Sequence, residues 1–171
     1  MESFRTVTPA KPVAPYLGGK RQAAKFIIPL IERTPHRTYA EPFVGMGGVF
    51  LRRSQAAPVE VINDLNREVA TLFRILQRHY TPFLEMLRYQ LTSRAEFERL
   101  SRTDPETLTD LERSARFLYL QRTAFGGKAA GQSFGVSVGS PAKFNVTKLG
   151  PLLEAAHERL AGVVIECLPF D

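Results

Sequence analysis

Two short stretches of this chain hold groups whose types and spacing point to chemistry. Glu41-Pro-Phe-Val-Gly45-Met-Gly47-Gly48 places a carboxylate, an aromatic ring and three glycines within eight residues. Glycines let a ligand approach the backbone closely, and a helix opening after them offers free N–H groups. Asn63-Asp64-Leu65-Asn66 follows fifteen residues later. An acid at the end of one strand, beside a glycine turn at the end of its neighbour, can accept hydrogen bonds from both hydroxyls of a ribose. Together the stretches imply a nucleoside-bearing cofactor at the carboxyl ends of adjacent strands. Separately each has a plainer reading: the glycines as a simple turn, and Asp64 or Asn66 as a helix cap. The glycine spacing departs from the dinucleotide fingerprint, and Gly18-Gly-Lys20 lacks the preceding strand and following hydroxyl residue of a phosphate loop. A nucleotide-binding Rossmann-like protein of another kind stays open as a weaker reading.

The elements that would position these groups can be read from periodicity. Residues 1–15 carry Pro9, Pro12 and Pro15 and read as an irregular arm. Ala23, Ile27, Leu30 and Ile31 recur at helical spacing, predicting an amphipathic helix over 20–33 that Pro35 helps to end. A strand is expected over 38–44, a short helix from Val49, a strand over 59–63 and a helix from Leu65 to about His79. This order argues for an α/β sheet with helices on its faces. The middle changes character. Thr81-Pro82 reads as a cap with proline at the first helical position, and Ser93 with Glu96 and Thr109 with Glu112 read as capping boxes. Residues 81–123 therefore predict three short helices without a strand. Residues 126–141 are rich in glycine and serine and read as an exposed loop or weak hairpin. Thr147 is expected to cap a last helix that Gly162 stops, before a strand over 163–167.

Composition narrows the setting. The 171 residues are 44% hydrophobic and 23% charged, ordinary globular usage for one well-packed domain. A net charge of +6 favours a polyanionic partner such as nucleic acid. The single cysteine, Cys167, excludes an internal disulfide and suits a reducing cytoplasm. No apolar run is long enough to span a bilayer, and no signal core opens the chain, so a soluble, cytoplasmic protein is expected. Cys167 is expected in a buried strand, and His36, His79 and His157 are too scattered for metal-ligand spacing.

Tyr16-Leu-Gly-Gly-Lys20, Glu41-Pro-Phe-Val-Gly-Met-Gly-Gly-Val-Phe-Leu51 and Ile62-Asn-Asp-Leu-Asn66, in that order, resemble the first three signatures of the Dam-type DNA adenine N6-methyltransferases. Phe117-Leu-Tyr-Leu-Gln-Arg122, Phe125-Gly-Gly127 and Lys143-Phe-Asn-Val146 resemble that family's DNA-recognition insert, and Val164-Ile-Glu-Cys-Leu-Pro-Phe170 its third strand and following turn. The resemblance covers residues 14–171. It implies a partial Rossmann-like S-adenosylmethionine-dependent methyltransferase sheet over 1–75 and 148–171, with an inserted helical target-recognition subdomain over 76–147. It implies S-adenosylmethionine as cofactor: Tyr16 and Lys20 at its methionine end, with Lys20 offering a cation to the carboxylate, Glu41, Phe43, Gly45 and Gly47 in the loop beneath it, Asp64 on the ribose, and Phe170 beside the adenine. The plainer alternatives are a solvated Lys20, a core Phe43, and Phe170 as an ordinary strand-end apolar residue.

The implied partner is double-stranded DNA. Gln121, Arg122, Lys128, Gln132 and Lys143 fall in or near the insert's loop, with Phe125 and Phe134 between them. Arginine and glutamine can read base edges, lysine can hold phosphates, and an aromatic can wedge into the space left by an extruded base. A solvated basic loop is the alternative. Thr123 follows Arg122 where the family has an aromatic, so the resemblance carries no recognition sequence over to this chain. Adenine amino methylation in the family uses an Asp-Pro-Pro-Tyr motif to align N6. No such motif occurs in residues 1–171. Asp104-Pro105-Glu106 lies between helices of the insert, and Asp171 sits at the third strand rather than the fourth. The expectation is the N-terminal part of the enzyme, inactive alone. The alternatives are a non-catalytic S-adenosylmethionine- or DNA-binding remnant, or one half of a split enzyme completed by a missing C-terminal polypeptide or by self-association.

Overall fold

The computed structural model describes residues 4–124, 133–135 and 143–169. Its centre is a three-stranded parallel sheet. The first of these strands is β2 (Thr38–Glu41), the middle one β4 (Val59–Asn63) and the third β5 (Val164–Glu166), in the order β2-β4-β5. Thr38 pairs with Val59 and Glu41 with Ile62, while Val61 pairs with Val164 and Asn63 with Glu166. A small antiparallel ribbon of β1 (Arg5–Thr6) and β3 (Gln55–Ala56) stands beside it. The helices are α1 (Ala24–Arg33), α2 (Arg67–Arg78), α3 (Tyr80–Arg88), α4 (Arg94–Arg102), α5 (Asp110–Thr123) and α6 (Val146–Arg159), with short 3₁₀ turns at Phe50–Arg52 and Pro105–Thr107. The described chain is thus a mixed α/β fold with a small sheet. No described helix is long and apolar enough to cross a membrane.

The strand over 59–63 and the three helices of the middle segment form as the periodicity predicts. Thr109 closes a full capping box with Glu112, whereas Ser93 accepts from Glu96 N and the Glu96 carboxylate turns to Arg99 and Gln90 instead. Several boundaries differ: α1 begins at Ala24 rather than residue 20, α2 at Arg67 rather than Leu65, and β5 spans only Val164–Glu166. The strand expected over 38–44 ends at Glu41, because Pro42 and the glycines turn the chain out of the ladder. The third helix begins one residue before Thr81, with His79 serving both as the end of α2 and the start of α3. The last helix is capped by Asn145, whose side chain accepts from Lys148 N, and not by Thr147, which lies in its first turn.

Two larger expectations are corrected. The arm at 1–15 is not merely irregular: its residues 5–6 enter the ribbon, and Ala10, Val13 and Ala14 are buried in the main core. The helix expected over 20–33 does not lay its apolar face on the sheet. Only Ala24 is buried, and Phe26 is 67% exposed. The strands explain this. Tyr39, Glu41, Glu60 and Ile62 alternate onto the covered face, whereas Thr38, Ala40, Val59 and Val164 are exposed on the other. α1 only skirts the β2 margin of that open face, where Leu30 and Ile31 share a cleft with Thr38 and Ala40. Cys167 lies just past β5, partly exposed, with its Sγ 3.8 Å from Leu65 O.

The covered face holds charge. Glu60 is buried and receives Arg53 Nη1 at 2.8 Å and both Arg159 Nη1 and Nη2 at 2.7 and 2.9 Å. Arg53 stacks 3.9 Å from the Tyr39 ring centre and Arg159 4.1 Å from that of Phe50. Removing one member of a buried ion cluster leaves the others uncompensated. Glu60→Ala is therefore expected to cost about 3–5 kcal/mol in urea denaturation, against about 0.5 kcal/mol or less for Thr38→Ala on the open face. Equal losses would contradict the cluster's role.

Candidate functional site

The carboxyl ends of β2, β4 and β5 meet in one place, and the side chains after β4 hold them there. Asn63 Nδ2 donates to Pro42 O at 3.0 Å and to Leu168 O at 3.1 Å, while its Oδ1 accepts from Leu168 N at 2.8 Å. One amide thus joins the chain leaving β2 to the chain leaving β5. Asp64 turns the other way. Its Oδ2 accepts from Gly45 N at 2.8 Å and its Oδ1 from Asn66 N at 2.9 Å. Asn66 is the N-cap of α2, accepting from Glu68 N at 3.0 Å and donating to the Tyr16 hydroxyl at 3.0 Å. The helix-cap reading of this run is therefore correct for Asn66. For Asp64 the capping turn and the contact with the glycine loop coexist on its two oxygens.

The glycine loop needs its glycines. Gly45 has φ +51°, and a Cβ there would come within 3.2 Å of the Tyr16 ring. Gly47 has φ +73°, and a Cβ would lie 2.7 Å from Leu51 Cγ. Both positions hold a backbone conformation that favours glycine, and at Gly47 a Cβ would also clash outright with Leu51. Lys20 Nζ donates to Phe43 O at 2.6 Å, tying the aromatic-Gly-Gly-Lys turn to the same loop. Phe43 is not core: it is 56% exposed at the end of β2, and Leu65 and Leu168 are likewise exposed past β4 and β5. Three apolar side chains thus stand at the ends of the three parallel strands.

Glu41 lies beneath the loop, buried, and accepts from the Tyr39 hydroxyl at 2.8 Å. Burial pushes its carboxyl above the usual range, opposed by the Tyr39 hydrogen bond and by the Lys20 charge. Burial also drives the Tyr39 phenol upwards, keeping it a donor.

The structure brings Tyr16, Lys20, Glu41, Phe43, Gly45, Gly47 and Asp64 together. Phe170 lies outside the described residues, as do Phe125, Lys128 and Gln132. Of the residues expected on the DNA side, Gln121 is 1% exposed, enclosed on the inner face of α5 rather than offered to a base edge. Arg122 is half-buried and gives Nη1 to Val13 O at 2.7 Å and Nε to Lys143 O at 3.3 Å. Burial lowers its pKa. Lys143 is exposed, and Phe134 packs on Phe97 with ring centres 5.4 Å apart. Sequence reading missed Asn63 as the link between strand ends. Its only signal was an amide side chain at the last position of a central strand. Among the described residues, no three metal-ligating side chains cluster.

The fold is a mixed α/β protein in which a glycine loop, an acid and exposed apolar side chains gather at the ends of parallel strands, the edge at which open α/β sheets hold ligands. Residues 16–171 match the D12 class N6 adenine-specific DNA methyltransferase family, and the chain belongs to it. It is also 32% identical over 128 residues to the type II methyltransferase M1.LlaDCHI of Lactococcus lactis subsp. cremoris, an alignment covering 68% of this chain and 42% of the relative. The chain thus spans less than half the length of that curated relative.

Raised in the folded state, the Glu41 carboxyl holds its proton more tightly than in the unfolded chain. Stability must then fall as pH rises from the ordinary carboxylate value through the raised one. Glu41→Gln, neutral throughout, should gain on the wild type near pH 7 and lose that gain toward about pH 4. Thermal melts across this range provide the check, and a gain independent of pH would refute the assignment.

Proposed function

We propose that residues 1–171 form the S-adenosylmethionine- and DNA-binding portion of a DNA adenine N6-methyltransferase, with the target-base chemistry supplied by another segment. The reading is carried by one observation: Asp64, at the end of the central strand, is bonded to the backbone of Gly45 in the loop at the end of its neighbour. In a Rossmann-like sheet this is the crevice where a nucleoside lies. The three-stranded sheet is read as part of such a sheet, over 1–75 and 148–171, and residues 76–147 as an inserted target-recognition subdomain.

The residues present fit the cofactor. Gly45 and Gly47 take positive-φ turns whose missing Cβ atoms let the loop close onto Tyr16 and Leu51 at the ends of the strands. Asp64 has acceptor capacity beyond its two N–H partners for ribose hydroxyls, because each carboxylate oxygen carries two lone pairs. Lys20, held at Phe43 O, places a cation for the methionine carboxylate, with Tyr16 and Glu41 beside it. Phe43 and Leu65 give apolar surface for the adenine, with Phe170 proposed to join them. S-adenosylmethionine, when bound, supplies an electrophilic methyl group on its sulfonium. The chain's own part is to seat and orient. On the DNA side, Arg122 and Lys143 are proposed to face the duplex with Phe125 and Lys128 of the adjoining loop. Gln121 supports α5 from within. The whole enzyme acts on double-stranded DNA.

Calorimetry tests the cofactor site. The wild-type chain is expected to bind S-adenosylmethionine, and Asp64→Ala to weaken binding at least about tenfold, equivalent to about 1.4 kcal/mol. A folded Asp64→Ala chain with unchanged affinity would remove Asp64 from the site. No Asp-Pro-Pro-Tyr occurs in residues 1–171, so methyl incorporation into unmethylated duplex by this chain alone is expected at background. Robust turnover would overturn the division of labour.

A further inference from the structure

Behind the glycine turn lies a second concavity, of about 460 Å³, which shares Tyr16 with the proposed cofactor crevice but is otherwise lined by different side chains. Four cations line it: Lys11 from the N-terminal arm, Arg21 after the glycine turn, Arg52 from the 3₁₀ turn after the glycine loop, and Arg122 at the end of α5. No carboxylate lines it among the described residues. Elsewhere the described arginines are commonly paired, as at Glu60, Glu68, Glu96 and Glu106. Lys11, Arg21 and Arg52 make no ion pair among the described residues. Arg52 Nε is enclosed with no hydrogen-bond partner, a donor whose burial is costly until an acceptor arrives. Arg122 is fixed by its bonds to Val13 O and Lys143 O, so its charge is preset rather than mobile.

We infer that this cleft seats a phosphodiester group of the DNA backbone, extending the DNA-contacting surface from the insert onto the N-terminal arm. The inference rests on the methyltransferase reading above and deepens it. The chemistry is an anion with several acceptor oxygens. Lys11 and Arg21 are exposed at the rim, while Arg52 is half-buried in the wall. That gradient suits a polyanion lying across the mouth with one ester group turned inward. Leu152 adds partly exposed apolar surface against which a deoxyribose can rest. The four cations come from four separate segments, so the seat also fixes how the arm and α5 lie against the DNA. Contacts of this kind position a duplex without reading its sequence.

The test is fluorescence anisotropy with the full chain and a labelled duplex of about 12 base pairs, from about 50 to 200 mM salt. The slope of log affinity against log salt should become shallower by about 0.9 for each phosphate contact removed. The double variant Lys11→Gln, Arg21→Gln and the single variant Arg52→Gln should each show this, with affinity falling about equally on unrelated sequences. Their affinity for S-adenosylmethionine should not change. Variants that keep the wild-type slope while the wild type binds duplex would overturn the cleft and leave the methyltransferase reading standing. Protection of the wild type by inorganic phosphate without duplex binding would mark a free-anion site and overturn the DNA assignment. Failure of the wild type to bind either duplex or S-adenosylmethionine would remove both the inference and the reading beneath it.

Discussion

The arrangement of the site depends on what the last two side chains of one central run do. A crevice at the carboxyl edge of a parallel sheet exists only if successive strand ends stay at fixed offsets. Asn63 enforces this by spanning from Pro42 O on one side to both backbone groups of Leu168 on the other. Asp64 then fixes the glycine loop above and the start of α2 beside it. Each such bond contributes only about 0.5–1.5 kcal/mol net. Their effect is geometric: the loop after β2, the chain after β5 and the start of α2 are all tied to two consecutive residues at the end of β4. Substituting either residue would loosen positions before it cost much stability.

Beneath that edge the sheet is polar where a core is usually apolar. Glu60, Arg53 and Arg159 sit on the covered face with Glu41 and Tyr39 nearby. Two guanidiniums share one carboxylate and use aromatic faces for further support. Burying ions carries a desolvation penalty that apolar packing would avoid. What the cluster adds is register: Glu60 accepts arginines from the segment preceding β4 and from α6, so an error in either element would strand charge. A second network does the same for the helices, where buried Arg113 of α5 bonds Glu68 at the start of α2 and Glu106 before α5.

Local signals made much of this legible in the sequence. The alternation of Val59, Val61 and Asn63 with Glu60 and Ile62, and the Thr109–Glu112 box, act within a few residues, and the structure follows them. The glycine loop and Asp64 could be paired in advance because their chemistry is complementary and their strands are adjacent. What escaped were long-range choices. Nothing near Asn63 says that Leu168, 105 residues away, will receive its amide. Gln121 looks like a surface reader from its neighbours, yet helical phase turns it inward. The stripe on α1 is correctly amphipathic, but amphipathicity does not name the surface that must meet it. Asn145 and Thr147 are both good caps two residues apart, and the cap of α6 falls to Asn145.

The buried arm has a consequence for where this folding unit starts. The family match opens at residue 16 with the aromatic-Gly-Gly-Lys turn. Ala10, Val13 and Ala14 lie before it and are buried in the main core. Val13 O is also the acceptor that anchors Arg122. A boundary drawn from sequence similarity would therefore cut through the hydrophobic interior. The core this motif belongs to reaches back at least to Ala10.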